Sequence, residues 1–334
     1  MSLPGRYGNK MSSKFWKNKK VLITGSEGFL GSNLVKRLLS YGAEVAGLDI
    51  KTKRKNTVLT KEDYKKIKVI KGDVANYNLL KSILSKYKPE YIFHLAAEAI
   101  VDKCYKDPMK TFSSNIRGTW TVLEASRNSK RVKGIIIASS DKAYGSHSKL
   151  PYREETALSG SHPYDVSKSC TDLIARTYFN VYGTPAAVTR CGNIYGPGDF
   201  NFSRIAPDTI RSALSGKKLM IRSDGKFTRD YVFVEDIVDG YLMLAEKLKR
   251  KNLSGEAFNL SNEKPVSVLQ FTKMIYKAAN RKPRLNILNK AKYEIQDQYL
   301  SSKKARRILG WKPKHSLDKG LKRTIEWYKT YLNK

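Results

Sequence analysis

The chain has 334 residues, 40% of them hydrophobic, and its 64 Lys and Arg against 30 Asp and Glu give a formal net charge of +34. The length predicts one large domain or two unequal ones with a sizeable core, and no apolar run approaches the ~20 residues of a membrane-spanning helix. The lysines are scattered rather than grouped in a stripe. This favours a solvated basic surface, or steering of a small anion such as a sugar diphosphate, over nucleic-acid binding.

The cysteines and histidines indicate neither disulfides nor a metal site. Three cysteines (Cys104, Cys170 and Cys191) lack Cys-x-x-Cys spacing, and four histidines lack the spacing of a metal-ligand pair. Reduced thiols and a start without a signal-peptide-like apolar stretch favour the cytoplasm. The polar, basic residues 1–18 are predicted to be a flexible extension.

The first predicted strand, Val21–Thr24, runs directly into a glycine-rich turn and then an apolar-periodic helix. In Gly-x-x-Gly-x-x-Gly the glycines permit a tight turn and close approach of the backbone to a pyrophosphate, while the helix N-terminus presents N–H groups to the phosphates. The pattern therefore predicts dinucleotide binding by Gly25, Gly28, Phe29, Leu30 and Gly31.

The second strand, Glu44–Leu48, ends at Asp49, about 20 residues after the glycines, where the fingerprint expects an acid that holds the adenosine ribose hydroxyls. A carboxylate there repels the additional phosphate of NADP, which favours NAD. Lys51, Lys53 and Arg54 follow closely and soften that repulsion, so NADP stays open as the alternative.

Strands and helices continue to alternate along the chain. Strands are predicted at Lys68–Ile70, Tyr91–Leu95, Gly134–Ser139 and Ala186–Thr189, with helices at 76–87, 110–128 and 163–182. This alternation predicts an α/β fold with a Rossmann-type, doubly wound parallel sheet over residues 19–190. Less regular sequence follows, with further helices near 205–214, 267–280, 301–309 and 317–332. We expect residues 191–334, including a strand at Ala257–Leu260, to form mainly a smaller α/β substrate domain.

Two residues on the 163–182 helix form a Tyr-x-x-x-Lys pair, Tyr164 and Lys168. Positions four apart lie on one helix face. An adjacent ammonium is expected to lower the pKa of the phenol, which makes Tyr164 a usable base for removing a hydroxyl proton during hydride transfer. Lys168 is also placed to reach the nicotinamide ribose.

Together these motifs resemble the extended short-chain dehydrogenase/reductase family of nucleotide-sugar epimerases and dehydratases, over about residues 19–330. The order and spacing of the motifs carry the resemblance: Gly25–Gly31, Gly72–Val74, His94–Ala97, Asn115–Thr119, the Ser140 region, Tyr164 with Lys168, Arg190–Pro197 and Arg229–Asp236.

The resemblance implies roles for further residues. Asp73 and Val74 border the adenine, Leu95, Ala96 and Ala97 line the cofactor diphosphate and ribose, and Asn115 lies near the catalytic centre. Asn193 and Arg229 correspond to positions that hold the nucleotide diphosphate of the substrate. A guanidinium suits phosphate oxygens, although an ion pair of Arg229 with Asp230 or Glu235 is the structural alternative. The candidate substrate-binding residues are Asn193, Arg204, Arg222 and Arg229.

The Asp141-Lys142 dipeptide after Ser140 resembles the CDP-glucose 4,6-dehydratase type, whereas similar epimerases usually carry small or apolar residues there. In the implied reaction Tyr164 deprotonates the sugar 4-hydroxyl as C4 is oxidised by NAD, with Ser140 bonded to that oxygen. Lys142, if neutral, then removes the C5 proton, and Asp141, if protonated, donates to the departing 6-hydroxyl. A purely structural Asp-Lys ion pair is the alternative, and Glu98 is a spare acid-base candidate.

Two other function classes stay open. An NDP-sugar 4-epimerase or 4-oxidoreductase needs only Ser140, Tyr164 and Lys168, and a non-catalytic NAD-sensing or nucleic-acid-binding protein on the same fold is a more distant alternative. The Ser26-Glu27 pair and the Arg229–Asp236 segment follow the general epimerase pattern, so the nucleotide base and sugar are not fixed. The resemblance also implies a homodimer joined through the 110–128 and 163–182 helices, with no metal and no membrane association.

Overall fold

The computed structural model describes residues 10–290 and 295–332 of the chain. Its strands are β1 (Lys20–Thr24), β2 (Glu44–Asp49), β3 (Lys68–Lys71), β4 (Tyr91–His94), β5 (Gly134–Ala138), β6 (Ala186–Cys191), β7 (Asn193–Tyr195), β8 (Leu219–Ile221), β9 (Thr228–Arg229), β10 (Tyr231–Phe233), β11 (Ala257–Leu260), β12 (Val266–Ser267), β13 (Leu285–Ile287) and β14 (Asp297–Gln298).

The α-helices are α1 (Lys10–Trp16), α2 (Phe29–Ser40), α3 (Lys61–Lys66), α4 (Tyr77–Tyr87), α5 (Val101–Lys106), α6 (Pro108–Phe112), α7 (Gly118–Arg127), α8 (Pro163–Tyr182), α9 (Ile205–Ser215), α10 (Val234–Lys247), α11 (Val268–Ala278) and α12 (Leu317–Leu332). Two π-helical turns, Ser113–Arg117 and Ala305–Leu309, and a 3₁₀ turn, Asp141–Tyr144, complete the regular structure.

Seven strands form one sheet in the order β11-β6-β5-β4-β1-β2-β3, and every neighbouring pair is parallel. This confirms the predicted Rossmann-type sheet. Its central strands are apolar because both faces are covered: Gly134–Ile137 of β5 is buried throughout. The strand order reverses between β1 and β4, and in such sheets ligands bind outside the carboxyl ends of the strands at that switch point.

Helices cover both faces of the sheet and bury two apolar layers. One layer is built largely from α1, α2, α10 and the sheet and includes Trp16, Leu34, Leu38, Val238, Tyr241 and Phe258. The other lies under α4, α7 and α8 and includes Leu80, Ile83, Val122, Leu123 and Ala175. The bounds of α8 coincide with the prediction, because Pro163 occupies its first turn and Gly183, at φ 65°, caps its end.

The later part of the chain forms small sheets and a third apolar core. Strand β7 pairs with β10, β8 with β13, and β9 with both β12 and β14. Helices α9, α11 and α12 enclose the core, whose buried members include Tyr195, Ile210, Phe271, Ile275, Leu321 and Tyr328. These short elements place Asn193 and Arg229 beside the carboxyl ends of the main sheet's later strands.

Residues 10–16, part of the predicted extension, form helix α1. Trp16 is fully buried in the core, and its indole Nε1 donates a hydrogen bond to Glu246 Oε1 at 2.7 Å. Its ring contacts Tyr91 and Phe93 at the start and middle of β4. So short a helix shows no periodic pattern in the sequence, and residues 1–9 lie outside the described part of the chain.

One strand of the 191–334 segment, Ala257–Leu260, belongs to the main sheet. This strand pairs with β6 and is the edge of that sheet, while the preceding α10 packs against α2 and β5. The chain therefore leaves the sheet after β6, forms β7, α9, β8, β9 and β10, and returns through α10 to β11. Across residues 10–290 and 295–332, no helix has the length and apolar character needed to cross a membrane.

Candidate active site

The glycine-rich turn after β1 is so tight that Gly25 and Gly31 have no room for a side chain. Gly25 has φ +74°, and a Cβ there would lie 2.7 Å from the Ala96 nitrogen. A Cβ on Gly31 would lie 2.0 Å from the Gly25 carbonyl oxygen. Gly28 is the N-cap of α2, and Phe29 and Leu30 form its first turn. The helix N-terminus thus stands beside the loop after β4, as a dinucleotide phosphate site requires.

At the end of β2 the Asp49 carboxylate is buried and accepts three hydrogen bonds. Its Oδ2 accepts from the Glu27 backbone N–H at 3.1 Å, and its Oδ1 accepts from Lys51 N at 3.1 Å and from the Arg54 guanidinium at 3.0 Å. Asp73, after β3, accepts from Ala75 N at 2.9 Å. The predicted adenosine-end residues therefore follow neighbouring strands at one edge of the sheet.

The loop after β4 is held to the rest of the site by Asn115. This residue sits in the π-helical turn between α6 and α7, and π-turns are often found at functional sites. Its Oδ1 accepts from Glu98 N at 2.7 Å, and its Nδ2 donates to Glu98 O and to Ser167 Oγ on α8. Leu95 and Ala96 bond to Thr24. Asn115 is thereby fixed as a positioning residue, while the Glu98 carboxylate accepts locally from Ile100 N.

The Tyr164–Lys168 pair occupies one face of α8, as predicted. The Lys168 ammonium is buried, donates to the Ala138 carbonyl at 2.7 Å, and lies 5.9 Å from the Tyr164 ring. Burial lowers the pKa of Lys168 to about 8. The expectation of a lowered phenol pKa is wrong for this structure, because burial raises the pKa of Tyr164, opposed by the Arg204 charge and by a hydrogen bond with Ser140.

Ser140, Asp141 and Lys142 form the start of a 3₁₀ turn at the end of β5. Ser140 Oγ caps the turn by accepting from Lys142 N and donates to Asp141 Oδ1 at 3.0 Å. Asp141 is buried, and Lys142 Nζ lies 3.8 Å from its Oδ2. Because Ser140 and Asp141 both lie near enough to Tyr164 to influence its pKa, a phenol, a hydroxyl, a carboxylate and an amine converge at the carboxyl end of one strand.

Sequence reasoning missed a fifth side chain at this cluster, Gln298. It is fully buried, its Nε2 donates to the Asp141 carbonyl at 3.0 Å, and its Oε1 accepts from Lys142 Nζ. Gln298 lies on β14 and pairs in register with Arg229. No motif marks it, since it approaches Lys142 from 156 positions further along the chain.

The four predicted substrate-binding residues differ in what they contact. Asn193 has a buried side-chain Nδ2 without a hydrogen-bond partner among the described residues, as expected of a ligand-binding amide. Arg204 pairs with Asp199 at 3.3 Å and is near enough to Tyr164 to influence its pKa. Arg222 is half-exposed and contacts Asp102 and the Ser203 carbonyl.

Arg229 is buried and donates to backbone carbonyls of residues 228, 295 and 296. It therefore holds β9 against the segment that leads into β14. Of the two acids in the alternative ion pair, Glu235 pairs with Arg37 and Arg323, and Asp230 Oδ2 accepts from the Ser261 hydroxyl and from Glu263 N. Within this structure the guanidinium stabilises the fold around Gln298.

A Rossmann-type sheet with a glycine turn after β1 and a Tyr-x-x-x-Lys helix beside the end of β5 defines the short-chain dehydrogenase/reductase class. Within that class the chain belongs to the GDP-mannose 4,6 dehydratase family, whose model matches residues 22–324.

The proteins similar to this chain include both dehydratases and epimerases. CDP-glucose 4,6-dehydratase of Salmonella typhimurium is 29% identical over 96% of this chain and 94% of its own length. UDP-glucose 4-epimerase of Mycolicibacterium smegmatis is 30% identical over 93% of this chain and 98% of its own. The crystal structure of dTDP-glucose 4,6-dehydratase from Bacillus anthracis in complex with NAD superposes with a TM-score of 0.84 at 27% identity, covering 94% and 98% of the two chains. The resemblance to nucleotide-sugar dehydratases and epimerases is confirmed.

Proposed function

We propose that the protein is an NAD-dependent NDP-hexose 4,6-dehydratase that converts a CDP-glucose-like substrate into a 4-keto-6-deoxy sugar nucleotide. The observation that carries this proposal is the convergence of two pairs of side chains: Asp141 and Lys142, which lie 3.8 Å apart, and Ser140 and Tyr164, of which Ser140 donates to Asp141 Oδ1 at 3.0 Å. Reversible oxidation alone needs only the latter pair and Lys168. A buried carboxylate and a partly buried amine beside them supply what an elimination additionally requires.

The residues present fit NAD. The cradle between Gly25, Gly31 and Ala96 would be filled by any Cβ, and the carboxylate of Asp49 suits a ribose diol rather than a phosphate. When bound, NAD supplies a hydride acceptor for oxidation at C4 and gives the hydride back at C6, so the net reaction is loss of water. Residues that would hold it are the glycine turn, Asp49, Asp73, Val74, Leu95–Ala97, Asn115, Tyr164 and Lys168.

At the sugar C4, Tyr164 would remove the hydroxyl proton and Ser140 would hydrogen-bond the same oxygen. Burial raises the pKa of Tyr164, so phenolate must be favoured by nearby positive charge. Arg204 already acts in that direction in the protein alone. Lys168, fixed by the Ala138 carbonyl, keeps its amine on the same side of α8.

For the elimination, Lys142 would take the C5 proton and Asp141 would protonate the departing 6-hydroxyl. The proton on Lys142 would return to C5 when C6 receives the hydride. An ion pair and a neutral acid–amine pair hold the same number of protons, so moving one proton from Lys142 to Asp141 creates both required forms. Gln298, bonded to Lys142, fixes the amine while the proton moves.

The substrate diphosphate would lie against the later part of the chain, on Asn193, Arg204 and Arg222, while Arg229 would hold the fold beside them. The Asn193 Nδ2, which is buried without a hydrogen-bond partner among the described residues, and the half-exposed Arg222 support that placement. We propose that residues 191–334, apart from α10 and β11, form the substrate side of the cleft. The similar CDP-glucose dehydratase of Salmonella supports a cytidine nucleotide.

The test is to incubate the protein with NAD and a panel of NDP-hexoses, CDP-glucose first, and to weigh the products. Loss of 18 mass units supports the dehydratase. An isomer of unchanged mass assigns a 4-epimerase instead, the second candidate, which the similar epimerase of Mycolicibacterium favours. No turnover together with salt-sensitive DNA binding would favour the distant, non-catalytic alternative.

The roles of the acid and the amine are tested by the double substitution Asp141→Asn, Lys142→Met. We expect NADH absorbance to develop with substrate, because C4 oxidation survives, while dehydration is abolished. Asp318→Asn with Lys322→Met is the matched control, since this pair lies 3.0 Å apart on the exposed face of α12. Unimpaired dehydration in the first double variant removes both residues from the mechanism.

We also propose a homodimer formed through α7 and α8. These helices pack on one another and expose large apolar side chains, including Trp120, Leu173, Val181 and Tyr182. Burying such a patch against a second copy removes apolar area from water. Light scattering is expected to give twice the chain mass, and a monomer at micromolar concentration would contradict the proposal.

A further inference from the structure

A second carboxylate lies beside the carboxyl end of β2, that of Glu27 in the glycine-rich turn after β1. Glu27 is only 2% exposed. Its Oε2 accepts from the Tyr64 hydroxyl at 2.6 Å and from Arg54 N at 3.1 Å. Its backbone N–H donates to Asp49 Oδ2. Two carboxylates from different elements therefore meet where this fold places the adenosine ribose.

One cation accompanies these two anions. The Arg54 guanidinium lies 3.0 Å from Asp49 Oδ1, and the backbone of the same residue is held by Glu27. With Arg54 positive and Glu27 and Asp49 negative, the cluster carries one net negative charge. The basic segment Lys51–Lys55 thus does not turn this end of the site positive, because its one inward-facing cation is already paired.

The unmet hydrogen-bonding capacity of the cluster identifies its ligand. Glu27 Oε1 and Arg54 Nε are both buried without a hydrogen-bond partner within residues 10–290 and 295–332, and such atoms are costly unless a ligand satisfies them. An ionised carboxylate only accepts hydrogen bonds, and a guanidinium only donates them. A ribose hydroxyl can donate to the carboxylate and accept from the guanidinium, whereas a phosphate dianion cannot donate and is repelled by the two carboxylates.

Tyr64 holds the Glu27 carboxylate in position through its hydrogen bond to Oε2. Burial, and then the hydrogen bond to Glu27, raise the pKa of Tyr64. The phenol therefore stays protonated and donates, which fixes Oε2 and leaves Oε1 as the free acceptor. Tyr64 lies on α3, whose start is fixed by a capping box between Thr60 and Asp63.

We propose that Glu27 is a specificity-determining residue that, together with Asp49, accepts the adenosine ribose hydroxyls and excludes the 2′-phosphate of NADP. Arg54 acts as the counter-ion that lets two carboxylates stand side by side, not as a phosphate ligand. The inference rests on the proposed use of a nicotinamide dinucleotide and adds to it the residue that chooses between the two forms.

The test is binding rather than turnover. NADH and NADPH are titrated separately into the full-length protein, its Glu27→Gln variant and a Glu62→Gln control, and the dissociation constants are read from nicotinamide fluorescence. Glu62 is an exposed glutamate on α3, the helix that carries Tyr64, and it pairs with Lys65. The wild type is expected to bind NADH more tightly. In Glu27→Gln the preference should fall about tenfold, equivalent to about 1.4 kcal/mol, mainly through tighter NADPH, while Glu62→Gln leaves it unchanged.

Glu27→Ser, which leaves no buried charge, is the second variant, and circular dichroism selects whichever neutral variant folds. An unchanged preference in that variant, or tighter binding of NADPH than of NADH by the wild type, overturns the inference while leaving the proposed reaction in place. Failure of the wild type to bind either dinucleotide instead overturns the proposed function.

Discussion

The two sides of the cleft differ in how their polar groups are engaged. On the sheet side, Ser140, Asp141 and Lys142 contact one another within a single turn and meet Tyr164 from α8. On the later side, Arg229 is committed to backbone carbonyls, and Arg222 and Arg204 to carboxylates. One side is a reactive cluster assembled before any ligand arrives. On the other side, Arg204 and Arg222 would have to leave their present carboxylate partners to bind a ligand.

The two sides therefore differ in the contacts that a bound ligand would have to break. The sheet side is fixed by strand ends, so its geometry follows from the fold. On the later side, the proposed binding of a diphosphate would displace existing ion pairs, and exposed pairs such as Arg222–Asp102 are worth only about 0–1 kcal/mol. Arg229 is different, because breaking its hydrogen bonds would leave buried carbonyls without donors.

The largest effect is expected from Tyr164→Phe, which removes the only proton acceptor proposed for the 4-hydroxyl. Initial turnover rates, measured by product mass, should fall by about 10²–10⁴-fold with little change in thermal stability. Tyr178→Phe is the control on the same helix, since its hydroxyl bonds to Glu124 away from the site. A Tyr164→Phe enzyme with near-normal rates would mean that the reactive cluster is not where oxidation begins.

Arg229→Gln tests whether a predicted phosphate ligand is instead structural. Loss of its buried hydrogen bonds is expected to lower the free energy of unfolding by about 2–3 kcal/mol, measured by urea denaturation. Arg211→Gln, at an exposed pair with Asp208, should change it little. If Arg229→Gln is as stable as the wild type but has a strongly raised KM, Arg229 binds the substrate and does not mainly stabilise the fold.

The smallest effect links the two sides through Arg204, whose charge opposes the raised pKa of Tyr164. Because the phenol must lose its proton to act, kcat/KM should rise with pH and be lost as pH falls. Without the cation the phenol pKa rises further. Arg204→Gln is thus expected to move the ascending limb to higher pH and to lower kcat/KM at pH 7 about three- to tenfold. Arg222→Gln should weaken substrate binding without moving the ascending limb of the pH profile. If that limb does not move in Arg204→Gln either, Arg204 does not influence the ionisation of Tyr164.

Most of the sheet side could be predicted from the sequence, because each of its residues follows directly from a strand or a helix with a clear period. Gly25–Gly31, Asp49, Ser140–Lys142 and Tyr164 with Lys168 are all of this kind, and the bounds of α8 are marked by Pro163 and Gly183. Contacts between distant segments carry no such signal. Gln298 reaches Lys142 across the fold, and the carbonyls that occupy Arg229 come from an irregular segment.

The expectation of a lowered phenol pKa is wrong for a physical reason as well. Helical spacing places Tyr164 and Lys168 on one face, but it does not say how deeply either is buried. Desolvation outweighs the charges around the phenol, and the ammonium is directed to the Ala138 carbonyl. Likewise, the edge position of Ala257–Leu260 depends on strand pairing that a linear pattern cannot specify.

The buried indole of Trp16 bears on how this protein can be shortened. The family match begins only at residue 22, and a truncation designed from it would delete α1. That cut would strip the cover from Tyr91 and Phe93 and leave Glu246 without its indole donor. Shortened versions should therefore retain residue 10 onward, or they will display an adhesive aromatic patch at the base of the sheet, opposite the reaction centre.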